Sequence, residues 1–155
     1  STRTGNGNTA ATPEVLVALG GLSTALAAAT ISSTEFDISS FDVSAGGTLS
    51  VTVNYNEQIT VAGSPTIAVT NSQAGGGSAA SLTLTKSAST ANTVTFTLVV
   101  GAAGSTISAD DILSIGAQNV LLAGGTITDT VATTAAAVAV SAAAGAGAGT
   151  ITAVA

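Results

Sequence analysis

The sequence predicts an all-β protein built as a sandwich of two packed antiparallel sheets. From Glu35 onward, apolar and polar residues alternate with a period of two, in short runs separated about every 8–12 residues by clusters of Gly, Asn, Asp and Ser. The residue types also suit strands, because Thr and Val supply most of the β-branched side chains beside three Phe and one Tyr. Seven or eight short strands with this spacing are typical of a two-sheet sandwich.

The composition excludes several classes of chemistry. The 155 residues include no Cys, His, Met or Trp, 6% are charged, and the net charge is −6. Without Cys or His, the chain cannot form a Ser-His-Asp triad, a thiol nucleophile or a Cys/His zinc site. Its only cations, Arg3 and Lys86, cannot form a basic patch for nucleic acid or for an anionic membrane surface. We therefore expect no enzyme activity, cofactor, metal or small-molecule substrate.

Residues 1–31 are predicted to be an N-terminal arm followed by an apolar docking segment. Residues 1–12 are small and polar and have no core of their own. The next residues are apolar, and Thr12-Pro13-Glu14 offers the N-cap, first-turn proline and early acid of a short helix. Gly20-Gly21 interrupts the segment, which is too rich in Ala for a membrane span. Its apolar strip is the predicted partner-binding site, made of Val15, Leu16, Val17, Leu19, Leu22 and Leu26.

The same segment is similar to a secretory signal peptide, with Arg3 upstream and small residues at Ala27 to Ala29. Glu14, at the edge of the apolar run, argues against that interpretation. Ser1 is a small residue of the kind left exposed when an initiator Met is removed. We therefore expect the segment to be retained in a protein that is not exported.

Residues 32–141 are predicted to form the sandwich. In the clearest strand, Thr48–Asn54, Leu49, Val51 and Val53 alternate with polar residues, so one face of the strand belongs to the core. The other predicted strands alternate in the same way: Gln58–Val61, Thr66–Thr70, Ser81–Lys86, Thr93–Val100, Ile112–Ile115, Thr126–Thr130 and Ala135–Ser141. The predicted core residues are Leu49, Val51, Val53, Val94, Phe96, Leu98, Ile112, Leu113 and Ile127.

Residues 142–155 are predicted to be an Ala/Gly-rich C-terminal arm that ends in a brief strand-like ITAVA. Ordering a residue costs about 1–2 kcal/mol of backbone entropy, and side chains this small bury too little apolar surface to offset it. We therefore expect both ends of the chain to make most of the contacts with other chains. The Gly-Ala repeat at 145–149 lacks the Lys-Ser/Thr of a phosphate-binding loop and is predicted to be an extended linker.

Several turn-and-strand patterns lie between about residues 47 and 140: Asn54-Tyr55-Asn56-Glu57, Gly63-Ser64-Pro65-Thr66, Val94-Thr95-Phe96-Thr97 and Gly124-Gly125-Thr126-Ile127-Thr128-Asp129. Together they resemble the bacterial immunoglobulin-like repeats of large surface proteins and phage virion proteins. The Gly-Asn that usually follows the position of Asp129 is replaced here by Thr130-Val131-Ala132. The resemblance implies an immunoglobulin-like sandwich with an adhesive or structural role.

The acidic residues have structural interpretations that outweigh the functional ones. Asp110-Asp111 could supply oxygens to calcium, but no calcium-loop pattern surrounds the pair, so a solvated turn in which an Asp side chain accepts from nearby backbone N–H groups is favoured. Glu35, Asp37 and Asp42 alternate with apolar residues, as on a solvent-facing side, and have no aromatic platforms for a sugar. We expect no catalytic carboxylate pair here.

Two single residues have similar interpretations. Tyr55 is predicted to pack at the edge of the core rather than to stack on a ligand. Lys86 ends a predicted strand and is interpreted as a charge that protects an edge strand from aggregation.

A sandwich without catalytic groups, with weak ends and a virion-like resemblance, leads to two functional hypotheses. The first is a non-enzymatic structural protein of a virion, a homo-oligomeric capsid decoration or cement protein that docks on the major capsid protein or other virion subunits through its terminal arms. The alternative is a secreted surface or filament subunit at the cell surface, in which a terminal strand completes a neighbour's sheet. A glycan-binding adhesin would need an aromatic or carboxylate cluster that the sequence does not offer.

Overall fold

A computed structural model describes residues 27–155, and in this range the chain forms twelve strands and one short helix. The all-β prediction is confirmed. The strands are β1 (Ile31–Phe36), β2 (Phe41–Asp42), β3 (Gly47–Tyr55), β4 (Ile59–Ala62), β5 (Thr66–Asn71), β6 (Ser81–Ser89), β7 (Thr93–Val100), β8 (Ile112–Ser114), β9 (Gln118–Asn119), β10 (Thr126–Asp129), β11 (Ala139–Val140) and β12 (Thr150–Val154), and the helix is α1 (Ala142–Gly147).

Eight of the strands form one curled sheet, the main sheet, in the order β1-β3-β7-β6-β5-β8-β12-β2. Neighbouring strands are antiparallel except β12 and β2, which are parallel. The two halves are joined where β5 pairs with β8, at Thr70↔Ser114 and Asn71↔Leu113. Two further strand pairs, β4–β10 and β9–β11, add Ile59, Ile127 and Val140 to the same core.

The predicted inward-facing residues of β3 and β7 are confirmed, and the two strands pair with each other. Val51 pairs with Phe96, and both side chains are 0% exposed. Leu49, Val53 and Val94 are also fully buried, because residues two apart on a strand point to the same face. The inner face of this strand pair therefore forms the centre of the core.

Ile112 was predicted to join this core, and that prediction is wrong. Adjacent residues on a strand point to opposite faces, so β8 can bury only one of Ile112 and Leu113. Leu113 is 0% exposed and Ile112 is 41% exposed. Leu98 is half-buried, while Ile127 is buried as predicted.

The C-terminal residues 142–155 are part of the fold, so the prediction of an arm ordered by another chain is wrong for this end. Strand β12 lies between β8 and β2 in the main sheet, and it buries Ile151 and Ala153. Pairing on both sides satisfies the backbone, and this compensates for the small side chains that the sequence offers. The predicted linker at 145–149 is instead the second half of α1 and the turn into β12.

Helix α1 depends on a cap and on a close approach. The Ser141 side chain accepts a hydrogen bond from the Ala144 N–H at 3.1 Å, which satisfies one of the free donors of the first turn. Gly145 packs closely against the backbone of Ile115 and Gly116, which follow β8. A Cβ at position 145 would lie 2.6 Å from the carbonyl oxygen of Ile115. The Ala/Gly composition therefore lets the helix lie directly on neighbouring backbone.

The two edges of the main sheet differ in length. Strand β1 is an edge strand of six residues, and helix α1 packs against it where the Thr34 hydroxyl donates to the carbonyl oxygen of Ala144 at 2.7 Å. The opposite edge, β2, has two residues. An edge of two residues gives little opportunity for another strand to pair.

Lys86 does not lie on an edge strand, so its predicted protective role is wrong. Strand β6 pairs with β7 on one side and β5 on the other. The Lys86 N–H donates to the carbonyl oxygen of Pro65 at 2.9 Å, and the register shifts between Lys86 and Ala88. Lys86 therefore marks a bulge inside the sheet.

A side chain takes the place of a peptide group at β5. The Ala68 N–H donates to Gln118 Oε1 at 2.9 Å, and Gln118 Nε2 donates to the Ala68 carbonyl at 2.7 Å. On either side of this contact, β5 pairs with Leu121 through Thr66 and with Ser114 through Thr70. Gln118 therefore completes a ladder that no strand covers at this point.

Candidate functional site

The predicted partner-binding strip, Val15, Leu16, Val17, Leu19, Leu22 and Leu26, lies outside the described residues. The candidate surfaces of residues 27–155 are the outer face of the main sheet, the loops that hold acidic residues and one open groove.

The outer face of the main sheet carries rows of hydroxyl groups. Because the inward positions of β3, β5, β6 and β7 are apolar, the alternate residues point outward. One row crosses four neighbouring strands at Ser50, Thr97, Thr85 and Thr66. A second row crosses the other half of the sheet at Ser81, Thr70, Ser114 and Thr150. The two rows are neutral and polar, and they offer neither a nucleophile with a base nor an aromatic platform.

The predicted solvent-facing acids lie at one side of this surface. The Asp37 carboxylate accepts hydrogen bonds from the hydroxyls of Ser50 and Thr52. Glu35 accepts from the Asn54 amide at 3.2 Å. Both acids are exposed and bound to β3 side chains, which agrees with the structural interpretation.

Asp42 caps the turn after β2. Its Oδ1 accepts from the N–H groups of Ser44 and Ala45 at 2.9 and 3.0 Å and from the Ser44 hydroxyl at 2.7 Å. The Ala45 N–H contributes most to holding the pKa of Asp42 below its usual value, followed by the Ser44 hydroxyl.

Asp110 and Asp111 have opposite environments. Asp110 is exposed and has a φ of 73°, whereas the Asp111 side chain is 0% exposed. Asp111 accepts from the N–H groups of Gly75 and Ser108 at 2.8 and 2.9 Å, from Gly77 at 3.4 Å and from the Asn71 amide at 2.8 Å. The Ser108 N–H is the local donor that the predicted turn requires, but the predicted solvation is wrong for Asp111, because it is buried and its other three donors lie 34–40 positions away in the chain.

The pKa of Asp111 follows from its burial and from these four hydrogen bonds. Burial is the largest single influence and acts to raise the pKa, but the hydrogen bonds from Ser108, Asn71, Gly75 and Gly77 together bring it below its usual value. The folded chain therefore favours the ionised carboxylate of Asp111. Gly77 makes the approach possible, because a Cβ there would lie 2.1 Å from Asp111 Oδ2.

Asp129 is a second buried carboxylate. Its Oδ1 accepts from the N–H groups of Val131 and Ala132 at 2.8 and 2.7 Å, and its Oδ2 accepts from the Ala29 N–H at 2.9 Å. The Ala132 N–H contributes most to lowering the pKa of Asp129, and burial opposes it. The sequence marked Asp129 only as part of a turn. An acid at the end of a strand was the available signal, but its distant partner Ala29 could not be inferred from spacing.

Tyr55 packs at the edge of the core, as predicted. Its side chain is 3% exposed, and its hydroxyl donates to the carbonyl oxygen of Ala137 at 3.0 Å. Burial raises the pKa of Tyr55 to about 12.

An open groove of about 550 Å³ lies between the end of β1 and the start of β12. Asp37 is the only ionisable residue among those that line it, which are Phe36, Asp37, Ile38, Ser39, Ala148, Thr150 and Ile151. One exposed carboxylate beside apolar side chains provides no acid–base pair.

Within residues 27–155, no three His, Cys, Asp or Glu side chains come together as metal ligands would. No helix in that range combines the length and the apolar character needed to cross a membrane.

No protein-family model, curated protein or solved structure matches the chain.

Proposed function

We propose that this chain is a non-enzymatic structural protein of a virion, an immunoglobulin-like module that decorates a capsid. Its partners would be the major capsid protein or other virion subunits, together with further copies of the chain. The apolar strip from Val15 to Leu26 would make the attachment. The C-terminal segment is not part of this proposal, because β12 lies inside the main sheet.

One observation carries the proposal: residues 27–155 complete their own core and sheet. The two central strands are paired along their length, and the last strand is held between β8 and β2. A chain that is already closed in this way has no need of a partner for its core. Attachment to other chains would then be the role of the apolar strip from Val15 to Leu26.

The alternative, a filament subunit that assembles by strand complementation, has less support. Such assembly needs a terminal strand that is free to be donated to a neighbour. Here the C-terminal strand β12 pairs with β8 and β2 of its own chain, and the edge strand β2 offers only two residues. A hydroxyl-rich outer face with a net negative chain charge instead suits the solvent-facing side of an attached module.

The first experiment is the identification by mass spectrometry of every chain in purified virus particles from the source of the sequence. We expect this chain beside the major capsid protein. Its absence from such particles, or its recovery in homopolymeric filaments, would contradict the proposal.

The second experiment tests the attachment segment in the full chain. We expect Leu19→Asp combined with Leu22→Asp to leave the circular dichroism spectrum unchanged and to abolish co-sedimentation with capsids that lack the protein. The matched control places the same charges at Val99 and Leu121, which are 77% and 63% exposed. Equal loss of binding in the two double variants would show that attachment does not depend on the apolar strip.

A further inference from the structure

Residues 27–30, the N-terminal strap, precede β1 and lie on the remainder of the fold through a few polar contacts. Ala29 is 0% exposed, whereas Ala27 and Thr30 are exposed. The strap makes four hydrogen bonds. The Ala29 N–H donates to Asp129 Oδ2 at 2.9 Å, and the Ala137 N–H donates to the Ala29 carbonyl at 2.8 Å. The Thr30 N–H donates to Asn56 Oδ1 at 2.7 Å, and the Asn56 N–H donates to the Thr30 carbonyl at 3.0 Å.

The bond to Asp129 differs from the other three because it is buried and its acceptor is charged. Hydrogen bonds to charged groups contribute roughly twice as much as neutral ones. The remaining bonds of Asp129 go to Val131 and Ala132, in its own loop. Glu57 also contributes, as the smallest influence, to lowering the pKa of Asp129.

The strap contributes little to the main sheet. Ala29 is its one buried side chain, and a methyl group adds little to a core centred on Phe96 and its neighbours. The first residue of β1, Ile31, already pairs with Tyr55, so the sheet begins after the strap. Segments with few apolar contacts open at a lower free energy than the core around them.

We propose that Asp129 is a latch for the N-terminal strap: its carboxylate holds residues 27–30 against the fold, and removal of its charge releases the strap while the main sheet stays closed. The inference goes beyond the proposed function, because the latch acts within one chain whether or not a partner is present.

The test is residue-resolved hydrogen exchange by NMR on the full chain carrying Asp129→Asn. An amide can direct its oxygen to the loop or to Ala29 but cannot accept from both sides, so one side meets an N–H donor instead of an acceptor. We expect the amides of Ala29, Thr30 and Ala137 to exchange at least about tenfold faster, while those of Val51 and Phe96 keep their protection. Asp111→Asn is the matched control, since Asp111 shares none of the strap's partners.

A second variant, Ala29→Pro, removes the donor and leaves the Asp129 loop intact. It should accelerate exchange of the strap amides in the same way. If Asp129→Asn does not fold, this variant alone tests whether the bond to Asp129 holds the strap. Unchanged protection of the strap amides in both folded variants would overturn the proposal. So would equal acceleration at Val51 and Phe96, or failure of Ala29→Pro to fold, because the strap and the sheet would then be one cooperative unit.

Discussion

The β3–β7 strand pair and the C-terminal segment α1–β12 reach the same sheet by different means. In β3–β7, large apolar side chains alternate with Ser and Thr, and the pair buries Leu49, Val51, Val53, Val94 and Phe96. In α1–β12, small side chains bury little, and order comes from a Ser cap, a helix lying on neighbouring backbone and a strand paired on both sides. Side-chain packing stabilises the first region, and backbone pairing and close approach stabilise the second.

The largest expected effect is in the first region. We expect Phe96→Ala to lower the free energy of unfolding by about 4 kcal/mol, because it leaves a cavity at the centre of the core. Urea denaturation followed by circular dichroism measures this. Val99→Ala is the control on the same strand, and at 77% exposure it should change stability by less than about 0.5 kcal/mol. Similar losses in both variants would mean that the register of β7 is wrong.

The next effect tests whether β12 is part of the core. Ile151 is 4% exposed, and we expect Ile151→Ala to cost about 3 kcal/mol of unfolding free energy in the same assay. Val154, on the outer face of the same strand, is 43% exposed, so Val154→Ala should cost less than about 0.5 kcal/mol. A negligible cost for Ile151→Ala would show that β12 is not part of the core and that residues 142–155 form an arm.

Close approach of α1 to its neighbour predicts an unusual result for a helix. Alanine is normally the better helix former, yet we expect Gly145→Ala to destabilise the chain by about 2 kcal/mol, because the new Cβ overlaps the Ile115 carbonyl. Nothing lies within 4 Å of a Cβ at Gly147, so Gly147→Ala should be neutral or stabilising by up to about 1 kcal/mol. Thermal denaturation of the two variants should shift in opposite directions.

Acid should weaken the side of the sheet near β12. Asp111 pairs with Ala153 through its backbone, and the pKa of its carboxyl lies below the usual value in the folded chain. A lowered pKa stabilises the fold above the usual carboxyl pKa of about 4, and this contribution is lost as the pH falls further. We expect denaturation midpoints to be flat near neutral pH and to decline below about pH 4.

The neighbouring aspartate provides the control for that pH dependence. Asp111→Asn should lower stability at pH 7 and reduce the decline in acid, while Asp42 and Asp129, whose pKa values are also lowered, retain the rest. Asp110 is exposed, and Asp110→Asn should change neither quantity. Identical pH profiles for Asp111→Asn and Asp110→Asn would show that Asp111 does not cause the loss of stability in acid.

The smallest expected effect lies in the loop after β10, which belongs to neither region. Thr133 has a φ of 54°, a left-handed conformation that a β-branched residue adopts at a cost and that Asn tolerates. We expect Thr133→Asn to raise the free energy of unfolding by about 0.5–1 kcal/mol, with Thr134→Asn as the neutral control. A destabilised Thr133→Asn variant would show that the loop has another conformation.

The strands with large side chains could be predicted from the sequence because their information is local. Alternation places Val51 on one face of its strand with Leu49 and Val53, and the strand predicted at Thr48–Asn54 is observed as Gly47–Tyr55. The same rule left one ambiguity: Ile112 and Leu113 are both apolar neighbours, and only the sheet's position decides which faces inward.

By itself the sequence determined the all-β class, the inward-facing residues of β3 and β7 and the exclusion of Cys- and His-based chemistry, since these follow from residue type and spacing of two. Only the tertiary structure decided that the Ala/Gly-rich end becomes a strand between β8 and β2, that Gln118 fills the edge of β5, and that Asp129 reaches Ala29. Each of these depends on backbone groups that every residue carries, and on partners as far as 100 positions apart in the chain. Hydrogen bonds of that kind leave no periodic pattern in the sequence, so the fold alone determines where they form.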